Sequence, residues 1–142
     1  MSRPDEPSPD EGEKSVYREY VLDVRIVEVP RPGEETRHRF EAPEHTSVEF
    51  KDPETAELYA DVYFDVNGFQ EAGTGERGVP PVVIQAGRDT LATYLLTQPG
   101  TDINWVASFY GVKTSKIKRY VATVRDRAEE IRSGVKDAGV AS

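Results

Sequence analysis

The feature that most limits the folds open to this chain is a change in the spacing of its apolar residues near Asp52. Before that point, the run "YREYVLDVRIVEV" places Tyr20, Leu22, Val24 and Ile26 two apart, with Val21 and Val27 thickening the opposite face. A period of two puts alternate side chains on opposite faces of an extended chain, so this segment predicts a strand covered in part on both sides. Beyond that point Leu58, Val62 and Val66 fall four apart, and Tyr59 and Tyr63 widen the stripe. That spacing lines one face of a helix. Strands collected at one end and helices at the other predict an α+β fold rather than an alternating α/β one.

Turn chemistry places the remaining elements. "PRPGEE" supplies prolines and a glycine for a turn, "TRHRFEA" reads as a returning strand, and "TSVEF" at 46–50 as a third short one, so the N-terminal part is a β-hairpin or small antiparallel sheet. The first helix opens with Asp52 as N-cap and Pro53 in its first turn, and ends at Asn67–Gly68. "PPVVIQAGRDTLATYLLTQ" reads as a second helix, entered through proline and closed by "QPG". From Thr101 two more are expected: "DINWVASFYG", then a longer one over about 115–132 with Ile117, Val121, Val124, Ala128 and Ile131 on one face. About four helices thus follow the sheet.

Residues 1–15 hold three prolines, five acidic residues and no large apolar side chain beyond Met1. They bury too little to offset ordering entropy and are expected to be a disordered acidic tail. A single domain over 16–134 and a frayed tail at 135–142 complete the expected organisation. Without cysteine, and with only His38 and His45 as histidines, neither a thiolate nor a histidine-rich metal site is expected, and no cofactor either. No apolar run approaches the length that spans a bilayer and no signal peptide is legible, so a cytoplasmic protein without membrane contact is expected.

Charge then singles out one segment. The chain carries 26 acidic against 18 basic residues, a formal net charge of −8. Yet "WVASFYGVKTSKIKRY", residues 105–120, contains Lys113, Lys116, Lys118 and Arg119 and no acidic residue. Three of the six lysines lie within it. Residues 101–142 hold eight basic and five acidic groups, whereas residues 1–100 hold ten and twenty-one. A general polyanion coat is excluded; a local contact is not.

The same segment has the pattern of two helices joined by a tight turn: small Ala107, then Gly111 four residues on, with Val106, Val112 and Ile117 placed to close a small core between them. Over residues 101–132 it resembles the helix-turn-helix superfamily of DNA-binding proteins, in the sigma-factor-type and small haloarchaeal regulator variants. The resemblance implies that the helix after Thr114 is a recognition helix, with Ser115, Lys116, Lys118 and Arg119 toward base edges, Thr114 as its cap and Lys113 on a phosphate. It also implies double-stranded DNA as partner and a homodimer, for which the strand at 19–29 and the apolar stripe of the last helix are candidate contacts. Scarce lysine and an acidic excess resemble proteins of salt-loving microbes, so the expected function is a sequence-specific transcriptional regulator of a halophilic archaeon, plasmid or virus. The alternative is a protein-interaction or assembly module that reads no DNA.

Other motifs read more plainly. "GTGERG", 73–78, has the glycine spacing of a dinucleotide loop but follows a helix and carries Glu76 where phosphate would sit. Trp105 reads as a half-buried core aromatic, and Asp61 and Asp65, one helical turn apart, as a solvent-facing stripe. No nucleophile stands in a motif near either histidine, so no enzyme is expected.

Overall fold

The computed structural model describes residues 14–69 and 78–139. It is α+β: four strands in one antiparallel sheet, β1 (Ser15–Glu19), β2 (Arg25–Val29), β3 (Arg37–Glu41) and β4 (Val48–Phe50), each hydrogen-bonded to its neighbour in sequence. Five helices follow, α1 (Pro53–Asp65), α2 (Pro81–Ala86), α3 (Arg88–Leu95), α4 (Ile103–Tyr110) and α5 (Thr114–Asp137).

The first expected strand is itself a hairpin. Leu22 (φ 60°) and Asp23 (φ 59°) both adopt left-handed backbone, as the tight turns that match strand twist require, and Val24 N–H donates to Val21 O at 3.4 Å. Neither residue is the asparagine or glycine that normally announces such a turn, which is why the alternating pattern runs through it unbroken. Left-handed backbone costs a residue with a Cβ about 1–2 kcal/mol. Asp23→Gly is therefore expected to stabilise the fold by about 0.5–1 kcal/mol, net of glycine's extra unfolded-state entropy. A urea midpoint that stays put or falls would show that the turn is not strained.

One sheet face packs on α1. Ile26 pairs with Phe40, and His38 with Phe50, across adjacent strands. Over them Tyr59 sits with its ring 4.9 Å from Phe40 and 5.2 Å from Phe50. His45, buried in the same cluster, receives a hydrogen bond from Tyr59 Oη at 2.9 Å on Nε2, because its Nδ1–H donates to Thr46 O. The opposite face carries ion pairs: Arg39 and Arg31 both bind Glu49 at 2.7 Å, and Arg25 binds Glu41 at 2.9 Å. Burial alone would push the Glu49 carboxyl up, but the hydrogen bonds from Arg31 and Arg39 outweigh it and hold it below its ordinary range.

Two helix assignments change. "PPVVIQAGRDTLATYLLTQ" is broken at Gly87, whose φ of 122° and ψ of 173° end α2 and start α3 in a new direction. The last helix runs to Asp137, past Arg132, so Val135 and Lys136, expected to fray, are helical. Asp52 stands at the start of α1 without a side-chain cap bond, while Asn67 (φ 59°) and Gly68 (φ 96°) end it as expected. "GTGERG" lies, apart from Gly78, outside the described residues, as does the tail up to residue 13; Lys14 precedes β1 and Ser15 opens it.

Asp61 and Asp65 are the largest correction. Rather than facing solvent, both carboxylates are buried between α1 and α5. Asp61 meets Arg132 at 2.9 Å and Arg125 at 3.6 Å. Asp65, its side chain 3% exposed, takes Nε of Arg127 at 2.7 Å and Nη2 at 2.9 Å, while Nη1 binds Asp89 of α3 at 2.8 Å. Thr90 Oγ1 donates to Asp65 at 2.6 Å. Arg127 thus ties three helices together. Its guanidinium is pushed further above its ordinary value by hydrogen bonds to Asp65 and Asp89. Burial raises Asp61 above the usual carboxylate range despite its arginines.

Candidate nucleic-acid interface

The candidate interface is built from α3, α4 and α5. Asp102 starts α4 by accepting the Trp105 N–H on Oδ1 at 2.8 Å, a side-chain cap for an otherwise orphan amide. Gly111 closes it: its φ of 65° lets Val112 N–H reach Ala107 O at 2.9 Å and its own N–H reach Ser108 O at 3.1 Å, satisfying the last carbonyls. Nothing lies within 4 Å of where a Cβ on Gly111 would stand. The glycine serves the left-handed backbone and not a close helix crossing.

Three residues later α5 begins. Lys113 is extended (φ −76°, ψ 153°) at the capping position, and Thr114 is the first helical residue, so Thr114 does not cap α5 as expected and no side-chain cap is made. Ala92 of α3, Val106 and Ala107 of α4 and Ile117 of α5 form a small buried cluster, with Leu95, Ile103 and Val112 packed around it. Val106, Val112 and Ile117 thus meet as the spacing predicted, and α3 completes the unit. Ala107 is buried in this cluster. Ala107→Leu is expected to overpack it and lose about 1–3 kcal/mol in a urea titration; a variant as stable as the parent would show slack around the turn.

Lys113, Ser115, Lys116, Lys118 and Arg119 are all exposed, and Thr114 is half-buried. Arg119 alone among the described arginines touches neither a carboxylate nor an aromatic ring. Arg18, Arg25, Arg31, Arg37, Arg39, Arg125, Arg127 and Arg132 all have carboxylate partners, and Arg88 lies over the Tyr110 ring. The positive surplus of residues 101–142 is therefore narrower than the sequence suggests. Arg125, Arg127 and Arg132 are spent on α1 and α3, which leaves Lys113, Lys116, Lys118 and Arg119 at the start of α5 and Lys136 at its end. No acidic residue stands in the first turn of that helix. Cations at the positive end of a helix dipole each cost about 0.3–1 kcal/mol, and an anion there would recover that cost.

Trp105, expected as a half-buried core aromatic, lies outside both buried clusters, and so does Phe109. They are 45% and 48% exposed and stack in parallel, centroids 5.5 Å apart, on the outer side of α4. With Ile84, Leu91, Leu95 and Pro99 they line an apolar cavity of about 700 Å³ between α2, α3 and α4. Their i, i+4 spacing was legible; which face of α4 the α3–α5 cluster would take was not. Among the described residues no group of acidic and histidine side chains is placed to hold a metal, and no helix is long and apolar enough to cross a membrane. Comparison of the chain with family models, curated proteins and solved structures found no match to any of them.

Proposed function

We propose that the protein binds double-stranded DNA in a sequence-specific way, as a transcriptional regulator inside a salt-adapted cell, with the N-terminal half of α5 as the reading element. The observation that carries this reading is the cluster of exposed cations, Lys113, Lys116, Lys118 and Arg119, without ion-pair partners among the described residues. In a protein of net charge −8, such a cluster gives a polyanion one favourable approach and repels it elsewhere. Lys113, at the turn, takes a phosphate; Ser115, Lys116, Lys118 and Arg119 reach base edges, where an arginine can bind guanine through two hydrogen bonds. Thr114, as the first helical residue, offers its backbone amide to the phosphate instead of a cap.

One such helix reads few base pairs, so the proposal includes two copies on half-sites about one helical turn apart. The contacts first expected for that pair do not survive: β2 is bonded on both edges, and Ile117, Val124 and Ala128 are buried within the chain. A second reading, a protein-interaction module, is favoured by the exposed Ile84, Trp105 and Phe109. Selection of bound duplexes from a random pool, repeated over a salt series, separates the two. Enrichment of one sequence supports the DNA reading; a folded protein that enriches none at any salt sinks it.

A further inference from the structure

The outward face of α5 carries charges that the rest of the molecule leaves unused. The helix buries Ile117, Val124 and Ala128. Directly opposite, at spacings of three and four, lie Ser115, Arg119, Ala122, Asp126 and Glu130, all exposed, flanked by exposed Lys116, Thr123 and Glu129. Elsewhere the buried and half-buried arginines are matched to carboxylates, but Lys116, Arg119, Asp126, Glu129 and Glu130 have no ion-pair partner among the described residues.

Their order is self-complementary. Measured from the midpoint between Ala122 and Thr123, Arg119 and Asp126 lie at equal distances on opposite sides, as do Lys116 and Glu129, and Ser115 and Glu130. A two-fold axis at that midpoint, with two helices antiparallel, sets Arg119 against Asp126 of the second copy, a pair that occurs twice by symmetry, while Lys116 and Glu129 flank the stripe on opposite sides and do not meet. The parallel arrangement sets like charge on like and is excluded. Ala122 and Thr123, short side chains, stand where the helices cross, which permits close approach.

We propose that the α5 stripe docks antiparallel on the same stripe of a second copy, and that this self-pairing and DNA binding exclude one another. The exclusion rests on the DNA reading, since pairing covers Ser115 and Arg119; the pairing does not. The edge of β1, unpaired among the described residues, is a poorer self-contact, because the strand is bulged between Val16 and Arg18, which twists an edge away from partners. Pairing masks Arg119 as protein concentration rises, and DNA competes for it.

Sedimentation equilibrium of the full chain in about 50 mM salt tests the pairing. The parent is expected to self-associate. Arg119→Glu and Asp126→Arg should each weaken association at least about tenfold, and the double charge swap should restore it. Circular dichroism checks that each variant is folded. Because the chain has no cysteine, Ala122→Cys supplies a single thiol that should form a disulfide-linked dimer on mild oxidation. The selected duplex should slow that cross-linking, and the linked dimer should not bind it. A parent that stays monomeric, or a swap no better than either single variant, overturns the pairing. Cross-linking indifferent to a duplex that the protein binds overturns the exclusion alone. A protein that binds no duplex while the swap still rescues association removes the DNA reading and the exclusion, and upholds the pairing.

Discussion

Arg127→Met is expected to destabilise the protein by about 3 kcal/mol, the low end of what breaking a buried ion pair costs. Asp65 is almost wholly enclosed and would keep the hydrogen bond from Thr90 Oγ1, while the Arg127 side chain is 40% exposed and Asp89 partly solvated, which moderates the loss. Methionine keeps the stem's packing, so the effect isolates the charge. Arg25→Met, which breaks an exposed pair with Glu41, should cost under about 1 kcal/mol. Combining Arg127→Met with Asp65→Asn should recover part of the loss, because the neutral amide no longer needs the guanidinium. Urea titrations of the three variants decide the matter: a loss at Arg127 no larger than at Arg25 would mean that the three-helix network contributes nothing beyond a surface pair. Were the loss instead confined to α5, seen as hydrogen exchange that rises there and not in the sheet, Arg127 would be an anchor for the reading helix specifically.

Arg119→Ala is expected to lose about 1–3 kcal/mol of affinity for the selected duplex and to relax discrimination at one base pair, if the arginine reads a guanine edge as proposed. Lys116→Ala should behave alike. Lys113→Ala should differ in kind: binding to all sequences weakens together, and the slope of log affinity against log salt falls by about one. Counterion release contributes less as salt rises, so a protein adapted to concentrated salt must draw more of its affinity from base-edge contacts, and specific binding should outlast non-specific binding along the series. Fluorescence anisotropy on selected and scrambled duplexes, with folding checked by circular dichroism, measures all three variants. Parental affinity in every one of them would remove α5 as a DNA reader and leave the apolar surface around Trp105 as the functional face.

Much of this architecture was legible because it depends on local spacing. Period two before Asp52 and period four after it separate sheet from helices, and Asn67–Gly68 and Gly111 mark helix ends by the backbone that they alone adopt cheaply. The hairpin inside residues 15–29 was not legible, since Leu22 and Asp23 turn the chain without the usual residues and are held there by the sheet they join. Nor was the break at Gly87, where a glycine inside a helical pattern has no local mark that distinguishes a tolerated residue from a corner. The candidate site divides in the same way.

Which residues are basic, and that they cluster at 113–119, is written in the chain; so is the meeting of Val106, Val112 and Ile117, because each lies within one turn of a helix end. Which cations are free is a tertiary matter. Arg119 and Arg127 are indistinguishable as letters eight apart on one helix, yet one faces water and the other reaches Asp65, sixty-two residues away, and Asp89. Asp61 and Asp65 are one turn apart on an acidic helix and become buried partners only because α5 lies across α1. Trp105 and Phe109 remain outside because Val106 and Ala107 meet α3 and α5 first. Local spacing determines the elements; long-range packing, which brings together residues no window of sequence contains, decides which side chains are left to act.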